Sequence, residues 1–379
     1  SGGKPKEETD KSIAVIPFTS MSDDPAKQYL ADGVMDAILL HLSKIRDLRV
    51  IARTSVEQYR KTNKTTTTIC KELDVGYLLE GSFQKYGDNA KLIVQLIKAG
   101  KGSHVWAKDY DRNWNDVLKV QSEVAQTVAK ELYASITPEE KQLIEKAPTT
   151  DTAAYELYLR AKDYQKDYEK TRDINSYYKA INLYNAALIL DSAFAKAYTG
   201  LAAVYYSRNY YKTYFEQDFL DSCLVLINKA LAFDSQLDEA YYLKGIYYQS
   251  NRQLLEAMNN FDKALKINPN YYLAYVAKGG KWISIDFVGS ITNYQKALNL
   301  IGGDDRSSLL KDLALIYVDI GFFDKAKSYY LEALKMDGDS ADYFGNLAVI
   351  EFTAENLENA VILIEKESKI DSTISLPFE

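Results

Sequence analysis

Cysteine is nearly absent from this 379-residue chain, and its two copies, Cys70 and Cys223, are far apart in sequence, which excludes a disulfide scaffold. They read as two buried thiols and leave the redox compartment open. Histidine is equally scarce. His41 and His104 cannot form a zinc site with those cysteines at any familiar spacing, so neither a metal nor a cofactor is expected. No apolar run approaches the roughly 18 residues of a membrane span. Positive charge is in deficit: 46 Lys and Arg against 53 Asp and Glu give a net charge of −7, which argues against nucleic-acid binding by this segment. No G-x-x-x-x-G-K-[ST], G-x-G-x-x-G after a strand, or G-x-S-x-G occurs, so no catalytic residues are assigned and the chain reads as a non-enzyme. Its start, SGGKPKEETD, shows no initiator Met or signal peptide and leaves room for a membrane anchor or another domain upstream.

What the chain does have is tyrosine, 31 copies against 13 phenylalanines, in a composition that is 47% hydrophobic and 26% charged. That balance belongs to a folded chain with ample core. The tyrosines fall into a repeat. From Asp238 to Pro269, Tyr241, Gly245 and Tyr248 lie on one helix, and Ala257, Phe261 and Ala264 lie on the next. Small residues sit where two antiparallel helices approach closely, large rings fill the space beside them, and Pro269 ends the unit. Asn268 and Asn270 supply the turn. This pattern resembles the 34-residue tetratricopeptide unit, which cannot bury its apolar face alone and therefore implies neighbours.

Six such units can be laid over residues 152–373, with about seven extra residues between the helices of the first and about nine between those of the second, around Lys212 to Asp218. In the sixth, Glu367 stands where a small residue is usual, which suits an exposed closing helix. Residues 1–10 and 374–379 read as tails, and 137–151 as a short capped helix and linker.

Residues 11–136 read differently. Ser12 to Phe18 is a short buried strand, Ala26 to Ile45 an amphipathic helix, Leu48 to Ala52 a second strand and Thr67 to Leu73 a short helix. From Val75 the apolar period becomes two, and three segments separated by Gly87-Asp88-Asn89 and Gly100-Lys101-Gly102 predict an antiparallel meander. A helix from Asn115 to about Ser135 closes the unit. The expected fold class is an α+β N-terminal domain, a mixed sheet with packed helices, followed by an all-α tetratricopeptide superhelix.

The phrases AVIPF, YLADG, RVIARTS, YLLEGS and HVWAKDYDR, in this order, resemble the TolB-like domain that is also similar to the FlgO family. The phrases AYELYLRAKDY and YNAALILDSAFAKAYTGLA resemble the repeats that follow such domains. The resemblance implies a bacterial signalling protein and carries no reaction with it. Periplasmic placement in a membrane-anchored parent is favoured, with a cytoplasmic alternative.

Two sets of candidate residues follow. Asp32, Arg53, Ser55, Glu80, Asp109, Asp111 and Arg112 lie inside the family-like phrases and form either an anionic or small-ligand pocket or a structural ion network, the second being favoured. Trp106 and Tyr110 are expected to pack. The inner face of the first helix of each tetratricopeptide unit lines a groove. That face maps to Lys196, Thr199 and Tyr206; to Glu239, Tyr242, Ile246 and Gln249; to Leu273, Val276 and Ile283; and to Ser308, Lys311, Leu315 and Val318. This mixed surface fits a segment of a protein or peptide partner. The function expected is a non-catalytic interaction and sensing module of a bacterial signalling protein. The alternatives are the regulatory part of a larger enzyme such as an adenylate cyclase, and the extracytoplasmic half of a membrane-anchored transcriptional regulator.

Overall fold

A computed structural model describes residues 10–22, 24–100, 103–212, 217–280 and 286–374. Most of the expected tails, Lys101 and Gly102 of the second hairpin turn, part of the 212–218 stretch, Trp282 and the groove candidate Ile283 lie outside the described residues. The chain forms two compact units, residues 1–274 and 275–379.

The first unit begins with a mixed sheet of β1 (Ser12–Val15), β2 (Thr19–Ser20), β3 (Arg49–Val50), β4 (Tyr77–Tyr86), β5 (Asn89–Lys98) and β6 (Ser103–Asn113). The strand order is β3-β1-β4-β5-β6, parallel on both sides of β1 and antiparallel across the meander, with β2 as a further parallel partner of β4. Helices α1 (Gln28–Ser43), α2 (Arg53–Glu57), α3 (Thr66–Leu73), α4 (Val117–Glu131) and α5 (Pro138–Glu145) complete this part. The short β2 and α2 are additions to the elements expected from sequence. Both are too brief to show a periodicity, and tertiary pairing decides them.

Alternation along the meander sorts its two faces. Leu79, Phe83, Leu92, Val94, Leu96 and Tyr110 are buried in the core cluster that also holds α1 and α4. Glu80, Ser82, Ile93, Gln95 and Asp109 occupy the opposite face, paired in register across the strands. Tyr110 is 2% exposed and Trp106 packs against the same core, so packing accounts for both rings.

The repeats of this unit are α6 (Thr152–Thr171) with α7 (Ile174–Leu190), α8 (Ala195–Lys212) with α9 (Gln217–Phe233), and α10 (Asp238–Ser250) with α11 (Leu254–Ile267). A side chain at Gly245 would run into the ring of Phe261, which is the close approach that the spacing implied. The extra residues of the first unit lengthen its helices: α6 and α7 span 20 and 17 residues, against 13 and 14 for α10 and α11.

Sheet and repeats share one core. The rings of Phe83, Trp114, Tyr155, Tyr158 and Phe194 form a continuous ladder from β4 into the second hairpin, with successive centroids 6.1, 6.5, 6.2 and 5.1 Å apart. A Cβ at Gly33 of α1 would sit 2.5 Å from Leu159 Cδ2 of α6, so only glycine admits this helix contact without repacking. At the other end, Asn270 ties the turn after α11 to the sheet domain. Its side chain accepts from the Val50 N–H at 3.0 Å and donates to the carbonyls of Ser43 at 2.9 Å and Ile45 at 3.4 Å. The turn role expected for the two asparagines is also present, since the Asn270 N–H donates to Asn268 Oδ1 at 3.1 Å.

In the second unit, α13 (Phe287–Leu298), α14 (Asp304–Asp319), α15 (Phe323–Asp337), α16 (Ser340–Thr353) and α17 (Leu357–Ile374) continue the hairpins, and α12 (Tyr272–Gly279) supplies the partner of α13. Ala314, Val318, Ala326, Tyr330 and Ile350 make a local core. Glu367 of α17 is partly buried over Gly345, whose missing side chain leaves room for the carboxylate.

Replacing Asn270 by Leu keeps the volume and strands the Val50 N–H and the Ser43 carbonyl in the interior, while the Ile45 carbonyl keeps the Leu48 N–H. Urea denaturation is expected to show a loss of about 2–4 kcal/mol, from buried groups that cost roughly 1–3 kcal/mol each when unpaired.

Candidate functional site

Helices α6, α8 and α10 present their inner faces side by side, as tetratricopeptide first helices do. In the first unit of the chain, α1 and the start of α2 lie over that face. Between them is a cavity of about 280 Å3. Its repeat side is built from Tyr158, Lys162 and Lys166 of α6, Lys196 and Thr199 of α8, Asp238 and Glu239 of α10, and the segment Asn268 to Leu273. Its other side is Asp36, Leu39, Leu40 and Ser43 of α1 with Ala52, Arg53 and Thr54. A smaller cavity of about 50 Å3 adjoins it between α1 and α6, sharing Asp36, Lys162, Lys166 and Lys196.

The groove expected to be open for a partner is therefore partly covered at Lys196, Glu239 and Leu273, and buried at Thr199, by the chain's own N-terminal domain. Thr199 is 1% exposed and bonds the Ala195 carbonyl at 3.2 Å. Tyr242 serves packing, with its ring 5.2 Å from Tyr271 and 6.0 Å from Phe261. Tyr206, Ile246 and Gln249, farther along the same helices, remain partly accessible. In the second unit Lys311 is held by Asp337 at 2.8 Å and Asp342 at 2.5 Å, Leu315 packs on the local core, Val318 is buried and Ser308 is exposed.

The polar candidates of the sheet domain divide. Asp32 and Arg53 join one ion network: Arg53 pairs with Asp36 at 2.6 Å and with Glu57, Arg60 pairs with Asp32 at 2.8 Å and with the same Glu57, and Lys166 of α6 reaches Asp36 at 2.8 Å. Ser55 is buried within α2. Glu80, Asp109, Asp111 and Arg112 are not brought to this network. Glu80 lines a separate depression of about 240 Å3 on the open sheet face, Asp111 accepts from the Tyr86 hydroxyl, and Asp109 and Arg112 are exposed. Strand alternation separates them, since residues on one strand reach a common site only from one face.

The charges in the cavity wall are unequal in how well they are satisfied. Burial would raise the Asp36 carboxyl, but Lys166, Arg53 and Lys162 outweigh it and hold that group far below the usual carboxylate range. Asp238 accepts from Asn268 Nδ2 at 2.7 Å. Lys162, Lys196 and Glu239 have no ion pair within 4.0 Å among the described residues, but Lys162 donates to the Tyr158 hydroxyl, and Tyr158, Glu239 and Asp36 together raise its pKa above the ordinary lysine value in spite of burial. Burial and the nearby Lys44 push the Lys196 ammonium down to about 8, and burial raises the Glu239 carboxyl against the pull of Lys162. His41 of α1 is 7% exposed, and burial together with Lys44 and Lys196 holds its pKa well below 6.5.

Lys162, Lys166, Asp36 and Asp238 were not among the residues singled out from sequence, and Asn270 was singled out only as a turn residue. The signal was present for two of them. The groove register that selects Lys196 and Glu239 falls on Tyr158, Lys162 and Lys166 when carried back to the first unit.

Comparison with known proteins supports both parts of the architecture. Residues 9–127 match the second domain of the HilA/YgeH-like transcriptional regulators. Residues 238–271 and 312–340 match the tetratricopeptide repeat. The second half of the chain is a tetratricopeptide array. Over 193 residues the chain is 33% identical to "Putative adenylate cyclase 3" of Rhizobium meliloti (strain 1021), covering 51% of this chain and 32% of that protein. Over 124 residues it is 27% identical to "Anaphase-promoting complex subunit 3" of Schizosaccharomyces pombe (strain 972 / ATCC 24843), covering 31% of this chain and 18% of that one. The chain thus spans a third or less of the length of these relatives. Among solved structures it is similar to the type IV pilus biogenesis factor PilW (18% identity, TM-score 0.46, 60% of this chain and 96% of that one). It is also similar to YrrB, described as a tetratricopeptide protein with an unusual peptide-binding site (23% identity, TM-score 0.39, 49% of this chain and 91% of that one).

Two outcomes follow from the charges. Lys196→Met removes a cation that folding must desolvate without a partner, and thermal unfolding should show it to be stabilised by about 1–3 kcal/mol. For His41 the folded pKa lies below the unfolded value of 6.5, so the unfolded chain takes up the proton first and stability is lost as pH falls through 6.5. The difference between wild type and His41→Gln should grow from pH 7 to pH 5 by up to about 1.4 kcal/mol per pH unit, read from urea midpoints at each pH.

Proposed function

We propose that this chain is a non-catalytic protein-binding and sensing module of a bacterial signalling protein. The N-terminal domain occupies one end of the repeat groove, and the remainder of the groove takes an extended or helical segment of a partner. The observation that carries this reading is the partial accessibility of Tyr206, Ile246 and Gln249, inner-face positions that continue the groove beyond the sheet domain. The TolB-like identity of the N-terminal domain belongs to this reading and rests on the phrases from AVIPF to HVWAKDYDR.

A second reading, the regulatory portion of a larger enzyme, is favoured by the match to the Rhizobium meliloti relative, of which this chain covers 32%. In that case the cyclase activity would belong to another part of the parent, and the module would set its response. The match to a HilA/YgeH-like regulator domain favours, in the same way, a place within a transcriptional regulator. All three readings share a module that binds and relays.

A photo-crosslinking residue at Gln249, with an identical probe at the exposed Val225 of α9 as control, tests the groove in bacterial cells expressing the chain. A discrete adduct at 249 and none at 225 is expected. Adducts at both sites, or at neither, would remove the groove as the binding face.

A further inference from the structure

The cavity between α1 and the repeats is a poor structural device. A domain interface held for stability alone closes over apolar side chains, or pairs whatever charges it buries. Here part of the wall follows that rule: Asp36 is matched by Arg53 and Lys166, and Asp238 by Asn268. Lys196 and Glu239 do not follow it. With Lys162, whose ammonium donates to the Tyr158 hydroxyl, they come from three successive repeats and line one space, with no ion pair among the described residues. Between them the wall carries Leu39, Leu40, Leu237 and Leu273 with the tyrosines at 158 and 271. At about 280 Å3 the space is close to the lower end of the ~300–1,000 Å3 typical of small-molecule sites.

We infer that this cavity binds a small amphipathic carboxylate bearing an amine or other hydrogen-bond donor, of the size and chemistry of a free amino acid. Lys162 and Lys196 take the carboxylate, Glu239 takes the donor and the leucines and tyrosine rings take the apolar remainder. Over the whole lining, four cations (Arg53, Lys162, Lys166 and Lys196) stand against three carboxylates (Asp36, Asp238 and Glu239), a net positive charge that selects an anionic group, and Glu239 selects a second, donating one. A depressed Lys196 and a raised Glu239 fit groups that await a counter-charge. Because the cavity is walled by α1 on one side and by the repeats on the other, a bound ligand adds a bridge between the two. This gives the sensing part of the proposed module a chemical input, and it stands without the partner-binding reading.

Thermal unfolding of the whole chain tests the assignment, with the proteinogenic amino acids as probes and short alkanoates and sodium chloride at equal ionic strength as controls. At least one amino acid should raise Tm in a concentration-dependent way, by several degrees at saturation, and the controls should not match it. Lys196→Met and Glu239→Gln, each verified as folded by circular dichroism, should lose that response. The assignment is overturned if no amino acid shifts Tm, if an alkanoate or chloride shifts it equally, or if both variants respond as the wild type does. The measurement uses the chain alone, so its failure leaves the Gln249 crosslink to stand or fall separately.

Discussion

The first compact unit depends on how closely helix α1 approaches helix α6. Gly33 lets Leu159 seat directly on the α1 backbone, and around that contact the core of the sheet runs without interruption into the core of the repeats. The ladder from Phe83 through Trp114, Tyr155 and Tyr158 to Phe194 is the same fact seen in aromatic rings. Solvent is excluded along this seam, and the Asn270 bonds to Ser43, Ile45 and Val50 close its far side. Once α1 is pinned at both ends, the inner faces of α6, α8 and α10 have a fixed roof.

That roof changes the meaning of the groove. In an open array, groove residues are surface residues, and their charges cost little because water solvates them. Under α1 the same side chains are desolvated, and each must find a partner or raise the free energy of the fold. The molecule meets this demand for Asp36 with two cations, for Asp238 with the Asn268 amide and for Lys162 with the Tyr158 hydroxyl, and leaves Lys196 and Glu239 without an ion pair among the described residues. Groups retained at a cost to stability are where function is most economically sought.

Much of the architecture was legible in sequence because it rests on local periodicity. The small and large residues of Asp238 to Pro269, the two-residue alternation from Val75, and the Thr137 to Glu140 capping box each report a structure decided within a few turns or one hairpin. Elements decided by distant pairing were not legible: β2 exists because it aligns beside β4, and α2 because its arginine answers Asp36. The candidate polar residues show the same division. Asp32 and Arg53 converge through α1 and α2, while Glu80, Asp109 and Asp111 sit on the opposite face of a sheet whose alternation could be read but whose covered side could not.

The sequence by itself determined the kind of chain this is: an α+β unit, then tyrosine-rich helical hairpins that must stack, since a single hairpin leaves its apolar face in water. Its residue spacing even marked which face of each first helix turns inward. Only the tertiary structure decided what that face meets. Spacing along a helix records the side on which a residue lies and says nothing of what lies opposite. For Lys162, Lys196 and Glu239 the opposite wall is the chain's own helix α1, which turns three groove positions into the lining of a half-covered, charged cavity.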